Sequence, residues 1–153
     1  MRIWHYALLP YLPDMQFRGQ LRELVVMMRD WRDKGQTNHL LINKVMEYPR
    51  EELSGYFLWY QTEWDRRYGT RNGLVKYEGE FNRFADNAYW FEKLIAPSLF
   101  DGWHTKEYLR ICMSNLLEKH RGIGKSRITD EEWASGADNY ISRGGFENWD
   151  FEI

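Results

Sequence analysis

One cysteine, Cys112, stands in a chain of 153 residues, so neither an intramolecular disulfide nor a cysteine-rich metal site is possible. The four histidines are scattered, and neither HExxH nor CxxC spacing occurs, so no dedicated metal site is expected. No GxSxG elbow and no Walker loop is present, and Gly144-Gly145 alone is too little to cradle a phosphate. No apolar run reaches membrane-spanning length, and the N-terminus has no signal-peptide h-region. A cytoplasmic chain with no membrane partner is the expectation. Neither charge sign dominates: 21 Lys and Arg against 23 Asp and Glu leave a net charge of −2. No global field draws such a chain to nucleic acid, and a nucleic-acid function requires a local basic patch. Internal repeats and low-complexity segments are absent as well. By elimination, catalysis would rest on carboxylates, lysines and the terminal amine, with no cofactor.

What is present points to a packed core. Hydrophobic residues make up 43% and aromatics 17%, with eight tryptophans, which argues against disorder. The length fits one domain, 1–153. The expected fold is mainly α, a compact helical domain with an extended N-terminal arm, since Pro10 and Pro13 disfavour helix over residues 1–13.

The period of a buried helical stripe runs from Phe17 through Leu21, Leu24, Val25 and Met28 to Trp31. It predicts a first helix over 14–34, capped by Asp14 and ended by Gly35. A shorter helix is predicted at 38–48, with Leu40, Leu41, Val45 and Tyr48 inward and Thr37 or Asn38 as its cap. A third is predicted at 49–68, with Pro49, Glu51 and Glu52 in its first turn and an aromatic stripe from Tyr56 to Trp64. Phe81, Phe84, Trp90, Phe91 and Leu94 suggest another over 81–95. His104–Arg121 should follow, with Tyr108, Ile111, Cys112 and Leu116 inward, so Cys112 reads as a small buried hydrophobe. Thr129 with Glu132 forms a capping box for a short last helix. The tail from Phe146 to Glu152 is acidic and aromatic.

Chemistry-bearing residues gather in the first 24 positions. Arg18 and Arg22 lie four apart on a flank of the first helix, and Glu23 lies about 100° around it from Arg22. Arg22 and Glu23 are thus placed to point into one cleft at the edge of the buried face. A solvated charged flank fits the same pattern. His5 reads as a hydrogen-bonded structural histidine. Lys119, Arg121, Lys125 and Arg127 form the densest positive run, suited either to phosphate contact or to a solvated loop.

Arg2-Ile3 and the pattern Leu12-x-Asp14-x7-Arg22-Glu23-Leu24 resemble the pyrimidine-dimer DNA glycosylase family typified by phage endonuclease V. Asn38-His39 to Gly69 resembles that family's second and third helices, and His104 to Lys119 its last long helix. The opening Met1-Arg2-Ile3-Trp4-His5, with Leu9-Pro10-Tyr11-Leu12-Pro13, is also similar to small bacterial proteins grouped with it.

The resemblance implies an endonuclease V-like monomer acting on damaged or modified duplex DNA in a bacterial or phage-infected cell. It implies a metal-free reaction in which the N-terminal α-amine attacks C1′ of a deoxyribose, the base leaves and a Schiff base forms. Elimination of the 3′ phosphate then nicks the strand. An α-amine with an ordinary pKa of about 7.7–8.0 is partly neutral near pH 7, and nearby Arg2 and Arg22 would lower that value. The implied catalytic residues are Met1, retained because Arg2 is bulky, and Glu23. The implied DNA contacts are Arg2, Arg18, Arg22, His39, Lys119, Arg121 and Lys125. Departures from the phage pattern are Val26 and Asn115 in place of arginines and Gln16 in place of a histidine. Each lost cation removes a phosphate contact. A non-catalytic DNA-binding protein of the same fold and a helical interaction protein stand as alternatives.

Overall fold

A computed structural model describes residues 2–70, 73–86, 99–122 and 128–136. Among them the chain is mainly helical, with no strand. The α-helices are α1 (Asp14–Lys34), α2 (Arg50–Tyr68), α3 (Val75–Phe84), α4 (Lys106–Arg121) and α5 (Asp130–Ser135). Two 3-10 helices, Tyr6–Tyr11 and Ile42–Glu47, precede α1 and α2.

The long helices begin and end as their termini dictate. Gly35 and Gly69 adopt φ of 69° and 66°, and their N–H groups close on the carbonyls of Trp31 and Asp65. Only glycine takes that left-handed conformation at no steric cost. Thr105 caps α4 by accepting the Tyr108 N–H, and Thr129 with Glu132 forms the full capping box of α5. Asp14 is the first residue of α1 and not its cap. Its carboxylate instead pairs with Arg18 at 3.0 Å and accepts from the Tyr68 hydroxyl.

Aromatic rings fill the space between helices. Phe17 of α1 stacks on Tyr60 of α2 at 4.4 Å, and Phe57 of α2 stacks on Phe81 of α3 at 4.1 Å. Phe81 and Phe84 point inward as their spacing suggests. Glu63 is buried on α2 and is held by Arg66 and by Arg67, whose guanidinium also donates to the Leu9 carbonyl. Outside the core, Arg29 grips Glu80 through two hydrogen bonds, of 3.0 and 2.6 Å, tying α1 to α3.

Several expectations are corrected. Residues 6–11 are a 3-10 helix with Pro10 inside it, capped by the His5 ring at Ala7 N–H. Proline excludes an α-helix interior but is compatible with a short turn that asks for few N–H donors. In place of a helix over 38–48 there is a turn and then the 3-10 helix Ile42–Glu47. The Asn43 side chain takes the Thr37 N–H and hydroxyl at 2.8 Å each, and the Thr37 hydroxyl takes His39 N–H at 3.1 Å. Such local side-chain bonds compete with helix. Leu40 and Leu41 are left 87% and 89% exposed instead of inward. The helix expected over 81–95 starts earlier, at Val75, and ends at Phe84, where Asp86 takes φ of 55°. Trp90, Phe91 and Leu94 lie outside the described residues, as does the acidic tail. Ile111 is half-exposed on α4, whereas Cys112 and Leu116 are buried as expected.

The N-terminal arm before Tyr6 belongs to no helix and has no sheet beside it. Its ladder is made of helix side chains. From α1, the Gln20 amide donates to the Arg2 carbonyl at 2.9 Å and accepts the Trp4 N–H at 2.8 Å. The Tyr56 hydroxyl of α2 donates to the Trp4 carbonyl at 2.5 Å, and that of Tyr108 on α4 donates to the Ile3 carbonyl. Trp59 N–H reaches the Tyr6 carbonyl, and the His104 ring accepts the Tyr6 N–H. Ile3, Trp4 and His5 are buried under these contacts.

Two outcomes follow from this packing. Gln20→Ala strips partners from two buried backbone groups, and the expected loss is about 2–4 kcal/mol of stability, read from urea denaturation. His5 is held by burial at a pKa of about 4, below its ordinary 6.5, and burial pushes His104 down as well. The unfolded chain binds these protons first, so stability is complete above pH 6.5 and falls as pH drops toward 4. His5 alone accounts for a loss of ~3 kcal/mol by pH 4, measurable as a falling urea midpoint across that window.

Candidate active site

Gln16, Gln20 and Glu23 recur at helical spacing along one row of α1, and the arm lies along that row. At its far end Glu23 Oε2 accepts the Arg2 N–H at 3.1 Å. Met1 is outside the described residues, but its α-amine is separated from that nitrogen only by its own Cα and carbonyl carbon. The two-point Gln20 clamp on Arg2 and Trp4 therefore sets the register in which the first peptide meets the Glu23 carboxylate.

A cleft of about 260 Å³ opens here. Glu23, Gln16 and Gly19 line it from α1, Arg2 and Trp4 from the arm, and Lys119 from the last turn of α4. Gly19 leaves open space where a side chain would project. The Arg2 guanidinium lies 4.7 Å over the Trp4 ring, a cation–π contact that directs the charge along the cleft wall. A carboxylate is thus flanked by two cations, a setting that suits a sugar-phosphate backbone.

A second, larger cleft of about 450 Å³ meets the first at Arg2, which lines both. Trp103, Tyr108 and Cys112 contribute to its wall and Lys44 to its rim. Burial pushes the Cys112 thiol up, so it stays protonated near neutral pH and is no ready nucleophile.

Behind the arm sits a stacked histidine pair, His5 and His104, with ring centroids 5.1 Å apart. His5 Nε2 faces the His104 carbonyl at 3.0 Å and so carries the proton, while its Nδ1 accepts Ala7 N–H at 3.1 Å. His104 Nδ1 accepts Tyr6 N–H, which puts its proton on Nε2. The reading of His5 as a hydrogen-bonded structural histidine holds.

Of the residues singled out from sequence, Arg2, Glu23 and Lys119 converge on one cleft. Arg22 does not join them: it is exposed and lines neither cleft, because the next helical position turns it outward. Arg18 is exposed and engaged by Asp14 and Tyr68. His39 is exposed in the turn before Leu40, and Arg121 is exposed at the end of α4. Lys125 and Arg127 lie outside the described residues. Sequence reasoning missed Gln20 as a positioning residue. Its signal was a glutamine one place before Leu21 of the apolar stripe, a position whose burial requires partners.

Residues 1–76 match the family model described as pyrimidine dimer DNA glycosylase. No curated protein and no solved structure matches the chain. The matched segment holds the arm, α1, α2 and the Arg2–Glu23 contact, while Lys119 and Tyr108 of α4 lie beyond it. Over residues 1–76, just under half of its length, the chain is similar to the pyrimidine dimer DNA glycosylase family.

Proposed function

We propose that this protein excises damaged or modified bases, pyrimidine dimers among them, from duplex DNA and nicks the strand at the resulting abasic site. The observation that carries the reading is the Glu23 carboxylate bonded to the peptide N–H that follows Met1. In this reading the Met1 α-amine is the nucleophile. It attacks C1′, the C1′–N glycosidic bond breaks and the base leaves with its electron pair and takes up a proton. The amine loses a proton and the sugar ring opens to give an imine between Met1 and C1′. Removal of a C2′ proton then expels the 3′ phosphate by breaking the C3′–O bond, and water hydrolyses the imine to free the amine.

Glu23 sits where positive charge develops on the sugar, and its carboxylate is the group to stabilise that charge and to carry the C2′ proton. Arg2 and Lys119 flank it and would hold the phosphates on either side of the target sugar. Arg22 beside Glu23 in sequence, His39 in the turn before Leu40 and Arg121 at the end of α4 are exposed and would add contacts to the backbone farther along. Gln20 acts as a positioning residue, because it sets the arm against α1.

A second reading, a DNA-binding protein that keeps the fold without the reaction, draws on Val26. It is 37% exposed on α1 where the phage member of the family has an arginine.

The two readings separate by borohydride reduction of protein with an untagged N-terminus on duplex DNA carrying one abasic site. The expected result is a covalent adduct mapped to Met1 and lost when the α-amine is blocked. Glu23→Gln should slow strand nicking by roughly 100-fold or more. No adduct, where a control lyase traps well, overturns the lyase chemistry. Unchanged nicking by Glu23→Gln removes Glu23 from it.

A further inference from the structure

Two adjacent leucines standing almost fully in water are costly unless something covers them. Leu40 and Leu41 are such a pair, 87% and 89% exposed. They are not carried on a slack loop. The Thr37 and Asn43 side chains bind one another and the backbone beneath them, and the His39 carbonyl accepts N–H groups from both Ile42 and Asn43, at 3.0 and 3.1 Å. The turn is a built pedestal that presents apolar side chains outward.

Their position gives the occupant. Leu41 forms part of the rim of the 450 Å³ cleft, which lies within the roughly 300–1,000 Å³ typical of small-ligand sites. Aromatic side chains, Trp103 and Tyr108, stand in its wall, and half-exposed Ile111 extends its apolar surface. Two cations, Arg2 and Lys44, also line it, and its acidic residue, Glu107, is paired with Arg110 at 3.6 Å. Apolar surface, aromatic wall and cations together match a strand with flat apolar bases and an anionic backbone. Arg2 joins this cleft to the one holding Glu23.

We propose that Leu40 and Leu41 form a wedge that enters the base stack of duplex DNA beside the Glu23 cleft, with the larger cleft receiving the base they displace. The inference rests on the DNA reading above but not on its chemistry. Apolar wedges unstack a base step and kink the duplex, and Leu40–Leu41 would do so next to the sugar that the amine must reach.

The test uses duplex DNA with 2-aminopurine beside an uncleavable tetrahydrofuran abasic analogue. Unstacking raises the fluorescence of this probe, and anisotropy of a labelled duplex reports binding separately. Saturating wild-type protein should raise the fluorescence. Leu40→Ala/Leu41→Ala should cut that rise by about threefold or more, while Leu41→Met, which stays apolar, retains it. Helical circular dichroism checks that the variants fold. An equal rise with the double alanine variant overturns the wedge. So does DNA binding by wild type with no rise at all, which leaves the glycosylase reading standing. A wild-type dimer in sedimentation that the alanine variant disperses also overturns it, since the leucines would then serve a second copy. No DNA binding even at low salt sinks both proposals. A leucine-dependent rise without a Met1 adduct supports the wedge and removes the lyase chemistry alone.

Discussion

The Gln20 side chain is the contact on which the site depends. Its amide has one donor face and one acceptor face, and both are spent on the arm, at Arg2 and Trp4. This is the hydrogen-bond pattern of a neighbouring strand compressed into one side chain. Tyr56, Tyr108, Trp59 and His104 complete it from three further places in the chain. A buried extended segment without a sheet must find partners for each polar group of its backbone, and here helices supply them. The result is an arm held in register with α1 from Arg2 onward, with the Arg2 N–H on Glu23. Termini ordinarily fray, and a terminus in a proposed catalytic role needs this restraint.

The same packing explains the electrostatic division within the molecule. Histidines behind the arm are buried and neutral, and they act as hydrogen-bonding wedges that hold the arm and the start of α4 together. Charges are kept at the cleft edge, where Arg2, Glu23 and Lys119 meet partly hydrated surroundings. The net charge of −2 therefore gives little guide to binding. The relevant field is local, set by which cations the fold brings to the two clefts and by which ones, such as Arg18 and Arg29, are engaged by carboxylates elsewhere.

Much of the fold was legible in the sequence where signals were local. Asp14–Lys34 and Arg50–Tyr68 match their apolar periods, the first ending at Gly35 as anticipated and the second after Tyr68, the last residue expected in it. The Thr129–Glu132 capping box is present as read. Errors arose where short-range hydrogen bonds or distant packing competed with periodicity. Thr37 and Asn43 bind each other and break the helix that Leu40 and Leu41 appeared to continue. Gly79, a weak helix former, hid the early start of α3, whose inward residues Phe81 and Phe84 were nonetheless visible.

The site divides in the same way. The first residues of the chain and the Arg22-Glu23 pair, which carry the family pattern, were determined by sequence alone, because residue identity sets which groups can act as amine, carboxylate or guanidinium. Tertiary structure decided which of them meet. It turned Glu23 into the cleft and Arg22 out of it, brought Lys119 from nearly a hundred residues away, and buried Gln20 as the clamp. It also joined the Glu23 cleft, through Arg2, to a larger one that exposed Leu41 helps to line. Helical period locates a residue to within a face. Which face meets the arm depends on contacts among segments far apart in sequence, and no local pattern records them.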